Sequence, residues 1–401
     1  MMQKITLSKL LAVWLLVPLF LVVLADPSMG TSGEDLTALK EGWGWPVVVI
    51  PPKGGWGSPE GDSVKWALRT AEMEVSLRHG GVHGRDVVFM YPNLNGPEDA
   101  LKRLQIWRAI GVGVILCFDQ GPIMEALIRA CRERGPSLIL SDGEDISLRS
   151  PSGPPWRYLF SLGFFRNYRA NALAQLATRG NLKPAIISDR YDPDMESGTE
   201  ATYRLLSGRF RGLRTFWLMG RGDVNFRYRL AEASADGAVV IVSWLDSLSS
   251  VSLWRTAKSY KLPVEIWHAA PPNHQILKEA DGLLYVDGDL LLASRTKELN
   301  DLRWKIIRTT RREVRDLVMA GKSYAMGVWV IRAHETAGTN RADVLVSHLA
   351  STREVPLLGE MLSINPVTHR PLKRTFGVIR VSGKAPSLHS TLSITSNSVE
   401  E

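Results

Sequence analysis

Short, wholly apolar segments alternate with amphipathic helical segments from residue 46 onward, and this alternation constrains the fold more than any other feature. Between residues 46 and 141 the apolar segments are PVVVIPP, DVVFMY, VGVILCF and SLILS. The stretches between them have a helical period, and in residues 63–78 it places Val64, Ala67 and Leu68 on one face. Apolar strands separated by helices are typical of a parallel sheet covered on both faces. This part of the chain is predicted to be a doubly wound domain.

The same alternation starts again near residue 160 and runs to residue 288. Its apolar segments are PAIIS, LRTFWL, GAVVIVS, VEIWHA and LLYVDG, with amphipathic stretches between the first four. A second parallel sheet is expected, so the predicted fold class is α/β with two doubly wound parallel-sheet lobes. Residues 299–338 are predicted to be helical and residues 354–383 to form a β-hairpin. The Ser/Thr-rich residues 384–401 are predicted to be a disordered tail.

The first 25 residues have the composition of a secretory signal peptide. Lys4 and Lys9 lead into an apolar run, and Val23 and Ala25 are the small residues expected before a cleavage site. The alternative is a permanent membrane anchor, but a spanning helix takes about 20 apolar residues, and this run is shorter and contains Pro18. Cleavage after Ala25 and export of the mature protein are therefore predicted.

The charge pattern argues against nucleic acid as a partner. The formal net charge is +8, and removal of the two lysines of the signal peptide lowers it to about +6. The basic residues are interspersed with acids, as in RTTRREVRDL at 308–317, where an amphipathic helix surface explains them. Because no stripe of basic and aromatic residues is present, nucleic acid binding is not expected.

The chain contains two cysteines, Cys117 and Cys131. Export would allow a disulfide between them. However, Cys117 ends a predicted strand and Cys131 lies late in the helix that follows, which places them at opposite ends of one strand–helix unit. Disulfide geometry requires closely spaced Cα atoms, so two buried thiols are favoured over a bridge.

Several longer segments follow one another in a defined order along the chain. They are a loop with an aromatic residue before the first helix, a Gly-Gly turn at 80–81, LKPAIISDRYDPDMESG, GRGDVNF, KSYAMGVWVIRAHETAGTNRADVLVSHL and LLGEMLSINPVTHRPLKRTFGVIRV. In order and spacing this set resembles the type I periplasmic binding proteins of the branched-chain amino acid class. The resemblance implies a three-stranded hinge with crossovers near residues 160, 288 and 358, and a ligand held between the lobes. It implies an N-terminal lobe of 44–160 plus 289–357 and a C-terminal lobe of 161–288 plus 358–383.

In this family, ligand contacts come from the loops after the strands, which is also where open parallel sheets bind ligands. In the first lobe these candidate positions are Trp56, Asp119, Gln120, Ser141, Asp142 and Gly143. Trp56 is predicted either to stack on a flat ligand or to pack on its own lobe. Asp119 departs from the Ser and Thr hydroxyls that the family commonly offers, and its charge would repel a ligand carboxylate unless paired or protonated. Alternatively, Asp119 caps the following helix.

In the second lobe the corresponding positions are Tyr191, Trp244, Asp246 and His268. Amino-acid binders of the family usually have an acid near the position of His268, and WHAAPPN has none, so Asp246 is a candidate substitute. The rings of Trp56, Tyr191, Trp244 and His268 predict an aromatic-lined cleft for a planar ligand, such as a heteroaromatic acid or a quinone-type cofactor. The alternative is that some of these rings belong to the core, since the chain has 13 Trp.

No catalytic signature accompanies these loops. The sequence lacks a G-x-S-x-G elbow, an H-E-x-x-H motif and a G-x-x-x-x-G-K-[ST] phosphate loop, so it predicts no enzyme, no catalytic residues, no metal and no resident cofactor. The resemblance implies a monomeric periplasmic protein that captures a small ligand and delivers it to the permease subunits of an ABC importer in the inner membrane. The alternative is a periplasmic ligand sensor or scavenger without transport.

Overall fold

The computed structural model describes residues 44–141, 156–163, 166–218, 226–357 and 360–395, which divide into two compact units. Unit 1 contains the described residues of 44–163 and 296–371, and unit 2 contains those of 166–295 and 372–395. The predicted signal peptide, Asp142 and Gly143 lie outside the described residues.

A five-stranded parallel sheet forms the centre of unit 1, in the order β2-β1-β3-β4-β5. Its strands are β1 Gly44–Ile50, β2 Asp86–Met90, β3 Val114–Cys117, β4 Ser137–Leu140 and β5 Leu159–Ser161. The helices that connect the first four strands are α1 Pro59–His79, α2 Pro97–Ala109 and α3 Pro122–Cys131. Nearly every strand residue is buried, as expected for a parallel sheet with both faces covered. The predicted α/β architecture is confirmed.

The chain returns to unit 1 for three helices and a small antiparallel sheet. With elements numbered along the whole chain, these are α10 Thr296–Thr310, α11 Leu317–Ala337, α12 Ala342–Ala350, β11 Val355–Leu357 and β12 Glu360–Leu362. Helix α11 packs closely on α1 at Gly327, where an added Cβ would lie 2.8 Å from Leu68 Cδ2. The helical prediction for residues 299–338 is confirmed.

Unit 2 is built around a seven-stranded sheet in the order β14-β13-β10-β9-β8-β6-β7. Its strands are β6 Pro184–Asp189, β7 Thr215–Leu218, β8 Val240–Trp244, β9 Glu265–His268, β10 Leu284–Asp287, β13 Lys373–Ser382 and β14 Ala385–Thr395. Its helices are α4 Arg166–Arg179, α5 Pro193–Ser207, α6 Phe226–Ala235, α7 Ser247–Ser259, α8 His274–Leu277 and α9 Asp289–Ser294. Strands β6 to β10 are parallel, and β13 and β14 add an antiparallel edge.

The prediction of a disordered tail at 384–401 is wrong for residues 385–395, which form β14. This strand pairs with β13 along its whole length. Gly383 and Lys384 both have positive φ angles, 58° and 64°, as a two-residue hairpin turn requires. Leu392 and Ile394 alternate with polar residues and are buried. Composition alone suggested disorder because it ignores this period of two, which lets a mostly polar segment pair along the edge of a sheet.

The bounds of the units differ from the predicted crossovers at two places. Residues 289–295 belong to unit 2 because α9 packs on β13 and β14. Residues 360–371 belong to unit 1 because Leu362 and Ile364 are buried in its core. The β-hairpin predicted at 354–383 is therefore split: β11 and β12 form a small hairpin in unit 1, and β13 pairs with β14 in unit 2.

Both cysteines are buried free thiols, as predicted. Burial raises the pKa of Cys117 and of Cys131, the latter to about 12, so both thiols stay protonated. Among the helices that the structure describes, none combines the length and the apolar character needed to cross a bilayer.

Candidate ligand-binding edges of the two sheets

The carboxyl ends of the unit 1 strands meet along one edge of the sheet. Ile50 of β1 pairs with Cys117 of β3, and the Ser141 N–H just beyond β4 donates to Cys117 O at 3.0 Å. The loops that carry Trp56 and Asp119 therefore start side by side. The strand order reverses between β1 and β3, which is the kind of point where open parallel sheets bind ligands. The described candidates of unit 1, Trp56, Asp119, Gln120 and Ser141, therefore lie at the expected edge.

Trp56 lies half-buried in the loop after β1. Its Nε1 donates to Pro92 O at 2.9 Å, and its ring stands edge-on to Tyr91 with centroids 5.2 Å apart. The loop itself packs tightly on α1, because an added Cβ at Gly61 would lie 2.0 Å from Gly55 O. These contacts match the alternative that Trp56 packs on its own lobe. They also fix the position of the ring. Stacking of a ligand on the exposed part of the Trp56 ring stays a prediction.

Asp119 is buried and caps helix α3. Its Oδ2 accepts the backbone N–H groups of Gly121 at 3.1 Å and Met124 at 3.2 Å, while the neighbouring Gln120 is exposed. This is the capping alternative that the sequence left open. Since these N–H groups are already bonded to a carboxylate of the chain, the start of α3 does not offer them to a ligand carboxylate.

Replacement of Asp119 by alanine is expected to lower the free energy of unfolding by about 1–2 kcal/mol, because two N–H groups at the start of α3, one of them buried, lose their acceptor. Asp119→Asn keeps an acceptor oxygen and should cost less. Urea unfolding followed by circular dichroism measures both variants. An alanine variant as stable as the wild type would contradict the capping role.

Ser141 follows β4 and is buried. Its backbone N–H is bonded to Cys117 O, so this residue closes the ladder between β3 and β4. Asp142 and Gly143, which were predicted to approach the ligand through this loop, lie outside the described residues. Their role stays a prediction.

The unit 2 sheet repeats the arrangement, with its strand order reversing between β6 and β8. Tyr191 follows β6 and is 67% exposed, and its N–H donates to Asp189 Oδ1 at 2.9 Å. Asp246 follows β8, is exposed and caps α7, accepting from Leu248 N at 2.9 Å and Ser249 N at 3.0 Å. Of the four candidates in this unit, these two lie at the surface of the expected edge.

Trp244 is not an exposed ring of this edge, which corrects the prediction. Its side chain is fully buried, and its Nε1 donates to Thr202 Oγ1 of α5 at 2.8 Å. An added Cβ at Gly198 would lie 2.4 Å from the indole ring. The ring fills the space between β8 and α5 in unit 2.

His268 is likewise buried, against the prediction that it contacts the ligand. Its Nδ1 lies 2.9 Å from Ser250 Oγ, and its Nε2 lies 3.4 Å from Ser247 Oγ and from Pro271 O. Burial lowers the pKa of His268 to about 4, so the ring is neutral near pH 7. Its hydrogen bonds hold the loop after β9 against the start of α7.

Solved structures resemble this chain over nearly their whole length. A putative branched-chain amino acid ABC transporter from Rhodospirillum rubrum is 14% identical, with a TM-score of 0.65, covering 86% of this chain and 99% of that one. A solute-binding protein from R. palustris in complex with benzoate is 16% identical, with a TM-score of 0.54 and coverage of 88% and 98%. A periplasmic binding protein type 1 from Bordetella pertussis is 13% identical, with a TM-score of 0.56 and coverage of 86% and 99%. This chain has the type I periplasmic binding protein fold.

Neither a protein-family model nor a curated protein sequence matches the chain. The type I periplasmic binding protein fold that the sequence suggested is therefore confirmed through the coordinates. A fold by itself does not identify a ligand, so the residues at the two edges carry the functional argument.

Unit 2 of this periplasmic binding protein fold also contains a polar cluster that the sequence did not reveal. His274 Nε2 lies 3.2 Å from Asp287 Oδ2, and His274 Nδ1 lies 3.0 Å from Tyr285 OH. Burial alone raises the pKa of Asp287, but the hydrogen bond from His274 and the charge of Arg169 outweigh it and hold this pKa below its usual range. The sequence signal for this cluster was the acid at the carboxyl end of the strand segment LYVDG. Its partner His274 lies on α8, and the contact between them became apparent only in the fold.

Proposed function

We propose that this protein is the solute-binding component of an ATP-driven importer. It captures a small ligand at the carboxyl edges of its parallel sheets and delivers it to permease subunits in the inner membrane. The observation that supports this function is the reversal of strand order within both sheets, in a fold whose solved examples include an ABC solute-binding protein with benzoate. The same proposal places the protein in the periplasm and implies binding without chemical turnover.

We propose further that the ligand is a planar, ring-bearing solute and not a free amino acid in the usual pose. The support comes from Asp119, which occupies N–H groups at the start of α3 and adds a negative charge to the edge of unit 1. Trp56 and Tyr191 are the ring contacts of this proposal, since each has an accessible face after a strand that flanks the reversal. Aromatic rings bind flat ligands through stacking in largely apolar pockets.

Thermal unfolding with a panel of solutes tests the function. A ligand that binds only the folded protein raises its free energy of unfolding by about 2.7 kcal/mol at 100 times its dissociation constant. We expect stabilisation by a member of the aromatic carboxylate or quinone classes and none by leucine. Mass spectrometry of compounds that co-purify with the protein supplies a probe from the cell. A protein that no compound of the panel stabilises, and that carries no compound, would contradict solute capture.

Alanine variants of Trp56 and Tyr191 test the predicted edge once a stabilising compound is known. Each should raise its dissociation constant by about tenfold or more, because a stacked ring is lost. Tyr260→Ala is the matched control, since Tyr260 is 48% exposed but lies at the C-terminal end of α7, away from the carboxyl edge. Equal affinity in all three variants would remove the ring contacts from the proposal.

A further inference from the structure

Helix α10 of unit 1 has a buried face and an outward face of unusual composition. Its buried residues are Leu299, Leu302 and Ile306. Leu302 and Ile306 pack in a small core with Ala67, Val314 and Ala320. At about 100° per residue, Trp304 lies on the opposite side of the helix from these residues. The helix is therefore held to unit 1 by one face and presents Trp304 outward.

Trp304 is 60% exposed, more than most large hydrophobic side chains of this protein. Tryptophan is on average highly buried in folded proteins. The packing of α10 does not need this ring, because its apolar contacts are made by the other face. Tryptophan is enriched at surfaces that bind partners, because its ring has an apolar body and a polar N–H.

Four arginines lie on the same face of α10 or in the segment that follows it. Arg308 lies one turn after Trp304 and its Nε donates to Trp304 O at 3.4 Å. Arg311, Arg312 and Arg315 are exposed in the segment that leads to α11. We call Trp304 with these four arginines the α10 basic patch.

The arginines of the α10 basic patch differ from neighbouring basic residues in their ion pairing. Arg303 pairs with Glu313 and Lys305 pairs with Glu74. Within the part of the chain that the structure describes, none of the four patch arginines makes an ion pair with a carboxylate. Arg312 instead lies over the ring of Trp66, 5.3 Å from its centroid. Among the described residues, these four arginines thus have no carboxylate within ion-pair distance.

We propose that the α10 basic patch docks this protein on an anionic phospholipid bilayer. An indole has an apolar body and a polar N–H and is favoured at the level of lipid headgroups. Arginines next to it are attracted by the negative surface potential of acidic lipids. The patch lies on the outer face of a helix, and a bilayer needs no complementary cavity. A protein partner would have to supply both an indole pocket and several acids.

Co-sedimentation with lipid vesicles tests this docking at low ionic strength. Vesicles with one part phosphatidylglycerol to two parts phosphatidylcholine should bind the purified protein, and pure phosphatidylcholine vesicles should not. Each arginine near such a surface contributes about fivefold to the partition coefficient. Arg308→Gln/Arg311→Gln should therefore lower it by about 25-fold. Added salt should weaken binding, because it screens the surface potential.

The matched control removes the same charge from unit 2. Arg209 and Arg211 are both exposed, and Arg209→Gln/Arg211→Gln should leave the partition coefficient within about twofold if docking is local to the α10 basic patch. Trp304→Phe and Trp304→Ala separate the ring from the charges. Vesicles should shift the tryptophan emission of the wild type to shorter wavelength, and the shift should be smaller in both Trp304 variants.

Several results would overturn the proposal. One is the same loss of binding in both arginine double variants, which would show attraction by net charge alone. Another is displacement from vesicles by soluble glycerol phosphate at constant ionic strength, which would indicate a site for a free phosphate ester. A third is binding to an acidic polypeptide such as polyglutamate without binding to phosphatidylglycerol vesicles, which would assign the patch to a protein partner.

Discussion

Replacement of Trp244 by alanine is expected to lower the free energy of unfolding by about 3–5 kcal/mol, because it leaves a cavity in the interior of unit 2. The indole is fully buried between β8 and α5. It also donates to Thr202 Oγ1, which would lose this donor and keep only its own bond to Gly198 O. Urea unfolding followed by circular dichroism measures the loss. Trp244→Phe keeps most of the volume and should cost less than the alanine variant.

The matched control for this variant is Trp304→Ala, the same change at an exposed position. It should change the stability by no more than about 0.5 kcal/mol, because no core contact is lost. If Trp244→Ala unfolded at the same urea concentration as the wild type but no longer bound a ligand, the assignment of Trp244 to the core would be wrong and the original prediction would be restored.

Acid is expected to destabilise the fold through His268, by about 3 kcal/mol between pH 7 and pH 4. The pKa of His268 is lowered from 6.5 to about 4 in the folded protein, first because the ring is buried. The unfolded chain therefore binds a proton between these values while the folded chain does not. The contribution of His268 is fully present above pH 6.5 and is lost as the pH falls towards 4. Urea unfolding at a series of pH values measures this slope.

The variant His268→Asn cannot titrate and should remove this part of the pH dependence, whatever its effect on stability at pH 7. The pKa values of His334 and His369 are also lowered by burial, so they add to the acid loss in the wild type and in the variant alike. His389→Asn is the matched control, since His389 is exposed on β14. If the free energy of unfolding of His268→Asn depends on pH as steeply as that of the wild type, His268 binds its proton equally readily in the folded and unfolded states.

The strands and helices were predictable because buried parallel strands leave a strong local signal. The segment VVVI can be covered on both faces only inside a sheet, and β1 occupies it. The edge strand β14 was missed because its signal is weaker. It is polar on one side and apolar at only a few positions, so composition suggested disorder although pairing with β13 orders it.

The candidate site was predictable in position and less so in side-chain role. Parallel connectivity requires that the loops after β1, β3, β6 and β8 share edges, so the sequence located Trp56, Asp119, Tyr191 and Asp246 correctly at those edges. It could not tell that Trp244 and His268 are buried, since a residue that ends a strand can face either solvent or the helices. The hydrophobic period and the order of the elements do not determine in which direction such a side chain points.

The sequence by itself determined the order of elements, the parallel sheets and the edges where the loops gather, because these follow from the apolar period and from chain connectivity. Only the tertiary structure decided which polar groups at those edges are already bonded. Asp119 is bonded to the start of α3, His268 to Ser250, and Asp287 to His274. These contacts join residues from separate elements, and their distances depend on how strands and helices pack, which no local pattern in the chain specifies.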